Sequence, residues 1–208
     1  MALEWSLLAV FIPTFFFVSI TPGMCMTLSM TMGMTIGVKR TLWMMIGELV
    51  GVGLVAALAV LGAAALMLNY PEIFMVFKYA GGAYLFYLGV QMWRSRGKMA
   101  IPEDLSSTSQ VRPYELISQG FLTAVANPKG WAFFISLLPP FIDPDKPLAF
   151  QLSELIAIIL MLEFLCLLAY ASGGKTLRAF LMKSGNVRLM NRLAGSLMMG
   201  VGVWLAAG

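Results

Sequence analysis

Two carboxylates and one ammonium, Glu48, Glu163 and Lys129, stand inside stretches of sequence that are otherwise strongly apolar. An ionised side chain in hydrocarbon is costly, and acids within membrane segments face a bundle interior, a water-filled cavity or a proton path. The chemistry open to such a set is charge recognition and proton exchange. A carboxylate accepts an ammonium or a proton, and a lysine attracts a carboxylate. Catalytic constellations are thin by comparison. The chain has no histidine, hence no Ser-His-Asp triad and no imidazole metal centre, so no catalytic residue, metal or cofactor is expected. Cys25 and Cys166 both fall in apolar stretches, which excludes a secreted disulfide framework.

The elements that must position these groups are interrupted helices. One apolar stretch contains Thr21-Pro22-Gly23 and another contains Asn127-Pro128-Lys129-Gly130. Proline removes a backbone donor and clashes with the preceding turn, while glycine permits an unwound link. The first stretch, residues 5–36, would be about 48 Å long as continuous helix, more than a bilayer core requires. Unwound backbone at membrane depth is tolerated only in protein or against a cavity, and paired breaks in two halves point to a binding site. Pro kinks without a ligand are common, so the argument rests on the pair. Glu48 lies eight residues after Arg40, about 12 Å in from a helix end, and Glu163 lies at a similar depth before Ser172. Equal depth suggests a shared central cavity. The helices restarting after Gly23 and Gly130 offer N–H groups and positive dipole ends to a substrate carboxylate, with Lys129 reinforcing them. Glu48 or Glu163 would take the ammonium and exchange protons. Met24, Met26, Met30, Met32, Met34, Met44 and Met45 cluster nearby, chiefly as core filler, though they also suit an adaptable pocket.

Composition agrees with a membrane setting: 60% of the 208 residues are hydrophobic and 12% charged, about half the charge of a soluble domain. Six spans are expected at 5–36, 42–68, 73–93, 116–142, 150–171 and 189–207, an all-α polytopic protein. Residues 1–20 lack a basic leader region and read as a retained first helix. Lys39, Arg40, Arg94, Arg96, Lys98, Arg112, Lys175, Arg178, Lys183, Arg188 and Arg192 fall at alternate loops, leaving only Lys78, Lys129 and Lys146 elsewhere. The positive-inside rule then places both termini outside the cytoplasm. Three helices is an odd number, so a second half inserts upside down. The spans divide into inverted repeats at 1–98 and 114–208, with broken helices 1 and 4 and a cytoplasmic linker at 99–113. Dispersed basic residues argue against nucleic acid as a partner. Gly33 with Gly37, and Gly47 with Gly51, form small-xxx-small pairs that favour close helix approach and leave a homo-oligomer open.

Several segments in order make the chain resemble the LysE/RhtB family of bacterial amino-acid exporters, more closely the RhtB (homoserine/threonine resistance) branch. They are Thr21-Pro22-Gly23, Gly47-Glu48, the run from Phe77 through Lys78, Gly81, Gly82 and Tyr84 to Leu88-Gly89, Asn127-Pro128-Lys129 with Phe133-Phe134 and Pro140-Phe141, and Asn191 through Gly195. The resemblance covers nearly the whole chain. It implies a multi-pass protein of the bacterial inner membrane that exports small neutral amino acids, homoserine or its lactone against protons. Met24 stands where such proteins carry a small residue or proline, and Glu48 and Glu163 where an Asp is common. The extra side-chain length narrows the cavity or shifts its polar groups.

Two rivals come from other classes. A transmembrane thiol oxidoreductase would use Cys25 beside the first break, but the second break lacks a matching cysteine. A transporter of a cation or other small solute would also suit buried acids, and saturable amino-acid binding separates it from the exporter.

Overall fold

The computed structural model describes residues 5–95, 111–143 and 146–207, and every regular element among them is helical. In chain order these are α1 (Trp5–Ile20), α2 (Met24–Thr35), α3 (Val38–Asn69), α4 (Pro71–Arg94), α5 (Pro113–Val125), α6 (Pro128–Leu137), a 3-10 turn (Pro139–Phe141), α7 (Leu148–Met182) and α8 (Ser184–Ala207).

Both expected breaks are present. Ile20 ends α1, Gly23 caps α2 with extended backbone, and the two helices bend by 56° across Thr21-Pro22-Gly23. Val125 ends α5, and Asn127 caps α6 with Pro128 at its first position, where the missing N–H is no loss. Gly37 turns α2 into α3 at φ 81°, a left-handed conformation that glycine adopts without Cβ strain. Its carbonyl accepts from the backbone N–H and the hydroxyl of Thr41, at 3.1 and 2.9 Å. Gly37 is thus a corner residue, not the close-packing partner of Gly33 that its spacing suggests.

By length and composition, α3 over Val38–Ala63 and α7 can each cross a bilayer, and the bent α1–α2 pair is long and apolar enough for a third crossing if its two helices form one span. No further span is found among the described residues. The linker expected at 99–113 lies outside the described residues up to 110, and Pro113 already opens α5, where the Arg112 N–H donates to the Glu115 carboxylate at 3.0 Å. Asp143 is described; Pro144 and Asp145 of the expected break lie outside the described residues.

One boundary differs in part. The fifth span was expected to end at 171, with a loop over 173–188; α7 does break there, at a kink on Gly174 with φ 48° and ψ −135°, but in place of a loop a second helical segment runs on to Met182 and α8 starts at Ser184. The segment from Lys175 to Met182 is rich in helix formers, and Leu181 is buried against the methionine cluster described next.

The core has two parts. One is aromatic and aliphatic, built on Phe11, Phe15, Val55, Phe133, Phe134, Leu155 and Ile159. Its rings interlock: Phe15 meets Phe133 and Phe134 at 5.8 and 6.0 Å between centroids. The other holds Met26, Met30, Met32, Met44, Met45, Leu167 and Tyr170. Across the chain, α3 packs chiefly on α5, α2 on α7 and α4 on α8. Glycine makes each of these approaches close. A Cβ at Gly47 would collide with the Ile117 carbonyl, one at Gly120 with the Met44 carbonyl, and one at Gly33 with Ala171. On α4 and α8, a Cβ at Gly89 would lie 2.6 Å from the Gly195 carbonyl. Backbones in such contact gain dispersion and Cα–H···O contacts that larger residues would forbid.

Candidate functional site

The two breaks meet at one cavity of about 620 Å³, part of it open to solvent. Phe15, Val18, Val52, Val55, Phe133 and Phe134 form its apolar wall. Polar character comes from the breaks and from α7: Ser19, Thr21, Cys25, Asn127, Lys129 and Glu163. Gly23 and Gly130 also line it, where a larger side chain would occupy the space between the helix ends.

The groups are tied across elements. Ending α1 at Ile20 frees the carbonyls of its last turn, which need new donors. Lys129 donates from Nζ to the Val18 carbonyl at 3.1 Å, a cation at the negative end of a helix. Tyr170 of α7 donates its hydroxyl to the Ile20 carbonyl at 2.7 Å, and Thr21 bonds back to the Phe17 carbonyl at 2.6 Å. Ser19 donates to Glu163 Oε2, which fixes that carboxylate on the cavity wall. At the second break, Asn127 Oδ1 accepts from the Lys129 N–H at 3.1 Å, and its amide nitrogen reaches Cys25 Sγ at 3.5 Å. Trp131 donates to the Val125 carbonyl at 2.7 Å, completing the end of α5.

Glu163, Lys129, Asn127, Thr21, Gly23 and Gly130 therefore come together as expected. Pro22 and Pro128 shape the breaks without lining the cavity. Two expectations change. Lys129 is occupied at the end of α1, so only its remaining N–H bonds can serve a ligand. Glu48 does not line the cavity: it is wholly buried, and neither carboxylate oxygen has a hydrogen-bond partner. Its polar neighbour is the Cys25 thiol, outside hydrogen-bond geometry, and it lies close enough to Glu163 for the two charges to interact.

Ser19, Cys25 and Tyr170 were not singled out as site residues from sequence. Tyr170 follows Glu163 by seven residues, two helical turns, which places both on one face of α7. Ser19 stands within a turn of Thr21-Pro22, and that proximity was its only signal. Of the methionines, Met24 and Met26 line the cavity, while Met30, Met32, Met44 and Met45 are core. No cluster of potential metal ligands occurs among the described residues.

A helical chain with membrane-length helices, two interrupted helices and charged side chains around the interruptions fits the class of membrane transporters, whose sites lie at discontinuous helices. The LysE type translocator family model matches residues 16–208, and the chain belongs to that family. It is a transporter, not an enzyme. An uncharacterized membrane protein of Vibrio cholerae is 29% identical over 90% of both chains. The homoserine/homoserine lactone efflux protein of Salmonella typhimurium is 28% identical over 91% of this chain and 90% of its own. The leucine efflux protein of Klebsiella pneumoniae is 26% identical over the same shares. No solved structure matches.

Proposed function

We propose that this protein exports small neutral amino acids or close derivatives, of the homoserine, threonine or leucine kind, across the bacterial inner membrane by proton antiport. The observation that carries the reading is the cavity at the paired breaks, with a carboxylate held on one wall and helix N-termini opening onto it. Glu163, oriented by Ser19, takes the substrate ammonium. The first turns of α2 and α6, with the spare N–H bonds of Lys129, take the carboxylate; Gly23 offers α2 no side-chain cap that would compete. The apolar ring of Phe15, Phe133 and Phe134 receives the side chain. The names of the Salmonella and Klebsiella relatives agree with substrates of this size.

The arrangement supporting alternating access is six spans in two inverted repeats: α1–α2, α3 and α4, then α5–α6, α7 and α8. Both termini face the periplasm. Each half supplies one broken helix, and the main packing of α3 on α5, and of α2 on α7, joins one half to the other. Titration calorimetry of the purified protein with L-homoserine, L-threonine and L-leucine tests the reading. Saturable binding of one of them, lost in Glu163→Gln, supports it. Binding of none, or binding unaffected by Glu163→Gln, would overturn the site.

A further inference from the structure

Glu48 and Glu163 were placed by sequence at the same depth and with the same chemistry, yet their surroundings differ. Glu163 is on the cavity wall and is held by a hydroxyl. Glu48 is completely buried behind that wall, and both of its oxygens lack partners. Burying an ionised carboxylate with no hydrogen bond carries a large desolvation penalty. A site of this kind is stable with a proton on the carboxyl and strained without one. Cys25, the polar neighbour of Glu48, lines the cavity, and Glu48 itself does not.

We infer that the two glutamates divide the work of antiport: Glu163 binds the substrate ammonium, and Glu48 binds the exchanged proton and never contacts substrate. This assignment rests on the exporter reading above and deepens it.

The surroundings of Glu48 make it a proton site coupled to the cavity. From α2 it faces the Cys25 thiol, and from α7 the charge of Glu163. Lys129 on α6 acts on Glu163 and Cys25. From α5 the turn holding Glu48 meets Gly120, which contributes no side chain; a Cβ there would lie 2.9 Å from the Glu48 nitrogen. With the cavity empty, Glu48 is the buried, unpartnered carboxyl that holds the proton, and the negative charge of Glu163 faces it. An ammonium arriving at Glu163 offsets that charge, and the Glu48 proton is then released to water on the side to which the cavity opens. When the substrate leaves on the other side, Glu48 takes a proton from that side. One proton is bound and one released per cycle, with no bond to substrate made or broken. The exchange of substrate for proton follows from coulombic linkage between two carboxylates, only one of which the substrate reaches.

The test uses full-length protein in liposomes, with L-homoserine, L-threonine and L-leucine as probes. Counterflow measures substrate exchange without a gradient, and accumulation driven by an imposed pH difference measures coupling. Glu48→Gln is expected to keep counterflow within about twofold while losing pH-driven accumulation by roughly tenfold or more, and Glu163→Gln to lose both. Glu48→Asp, which retains the carboxyl, is expected to restore accumulation with a shifted pH profile; it keeps the test open should Glu48→Gln fail to fold. Loss of counterflow in a folded Glu48→Gln protein would overturn the assignment by showing that Glu48 meets substrate. Undiminished pH-driven accumulation would overturn it by making Glu48 a packing residue. Wild-type vesicles that exchange none of the probes would refute the exporter reading itself.

Discussion

Lys129 on α6 donates to the Val18 carbonyl on α1 at 3.1 Å, so one broken helix is capped by the other. The contact joins the two interruptions directly. It gives a half-buried cation a structural duty on the wall of the cavity.

Replacing that residue should therefore affect both stability and transport. Lys129→Met removes a charge-assisted hydrogen bond and leaves the Val18 carbonyl without its donor. A loss of about 1–2 kcal/mol is expected after allowing for partial exposure of the lysine. Transport should fall by roughly tenfold or more, because the carboxylate end of the cavity loses its cation. Lys129→Arg should retain most of the stability. Thermal unfolding in detergent and counterflow in liposomes measure the two effects separately.

Glycines on the helix contacts should not all behave alike. Gly120→Ala drives a Cβ into the Met44 carbonyl, so α3 and α5 must part. Overpacking of this kind costs about 1–3 kcal/mol. A Cβ at Gly200 on α8 meets nothing within 4 Å, and Gly200→Ala should be neutral or stabilising by roughly 0.5–1 kcal/mol. Detergent melting of the two variants side by side would expose an error if Gly120→Ala proved the more stable.

Cys25 lines the cavity and Cys166 does not, although both are buried. In a Cys166→Ala background, a small methanethiosulfonate should label Cys25 slowly, and a saturating substrate should slow labelling by about tenfold, as competition for one cavity requires. Equal labelling with and without substrate would place the ligand elsewhere.

These sites were legible in the sequence to different degrees. The breaks announce themselves, because Pro22, Gly23 and Pro128 change the backbone whatever surrounds them. The stop after the fifth span does so too: Gly173-Gly174 has the composition of a helix stop, and Gly174 breaks α7 at φ 48° and ψ −135°. The helical segment that follows it to Met182, with Leu181 buried, does not. Family membership was legible in the Asn127-Pro128-Lys129 segment and the run from Lys78 to Gly89, and the family match over residues 16–208 bears it out. Glu48 shows the limit of counting residues along a helix. Distance from a helix end gives depth but not the direction in which a side chain leaves the axis. Direction decides whether a carboxylate faces a cavity or lies behind its wall. The hydrogen bonds of Ser19 and Tyr170 depend on which helices meet, and no spacing within one segment encodes that.

The account stands most directly on export by living cells. Bacteria producing the protein and fed dipeptides of threonine, homoserine or leucine would be compared with cells producing Glu163→Gln, with and without a protonophore. The account predicts faster release of at least one of these amino acids by wild type, abolished by Glu163→Gln and collapsed by the protonophore. Release unchanged by Glu163→Gln in well-expressed protein, or indifferent to the protonophore, would contradict proton-coupled export through this cavity.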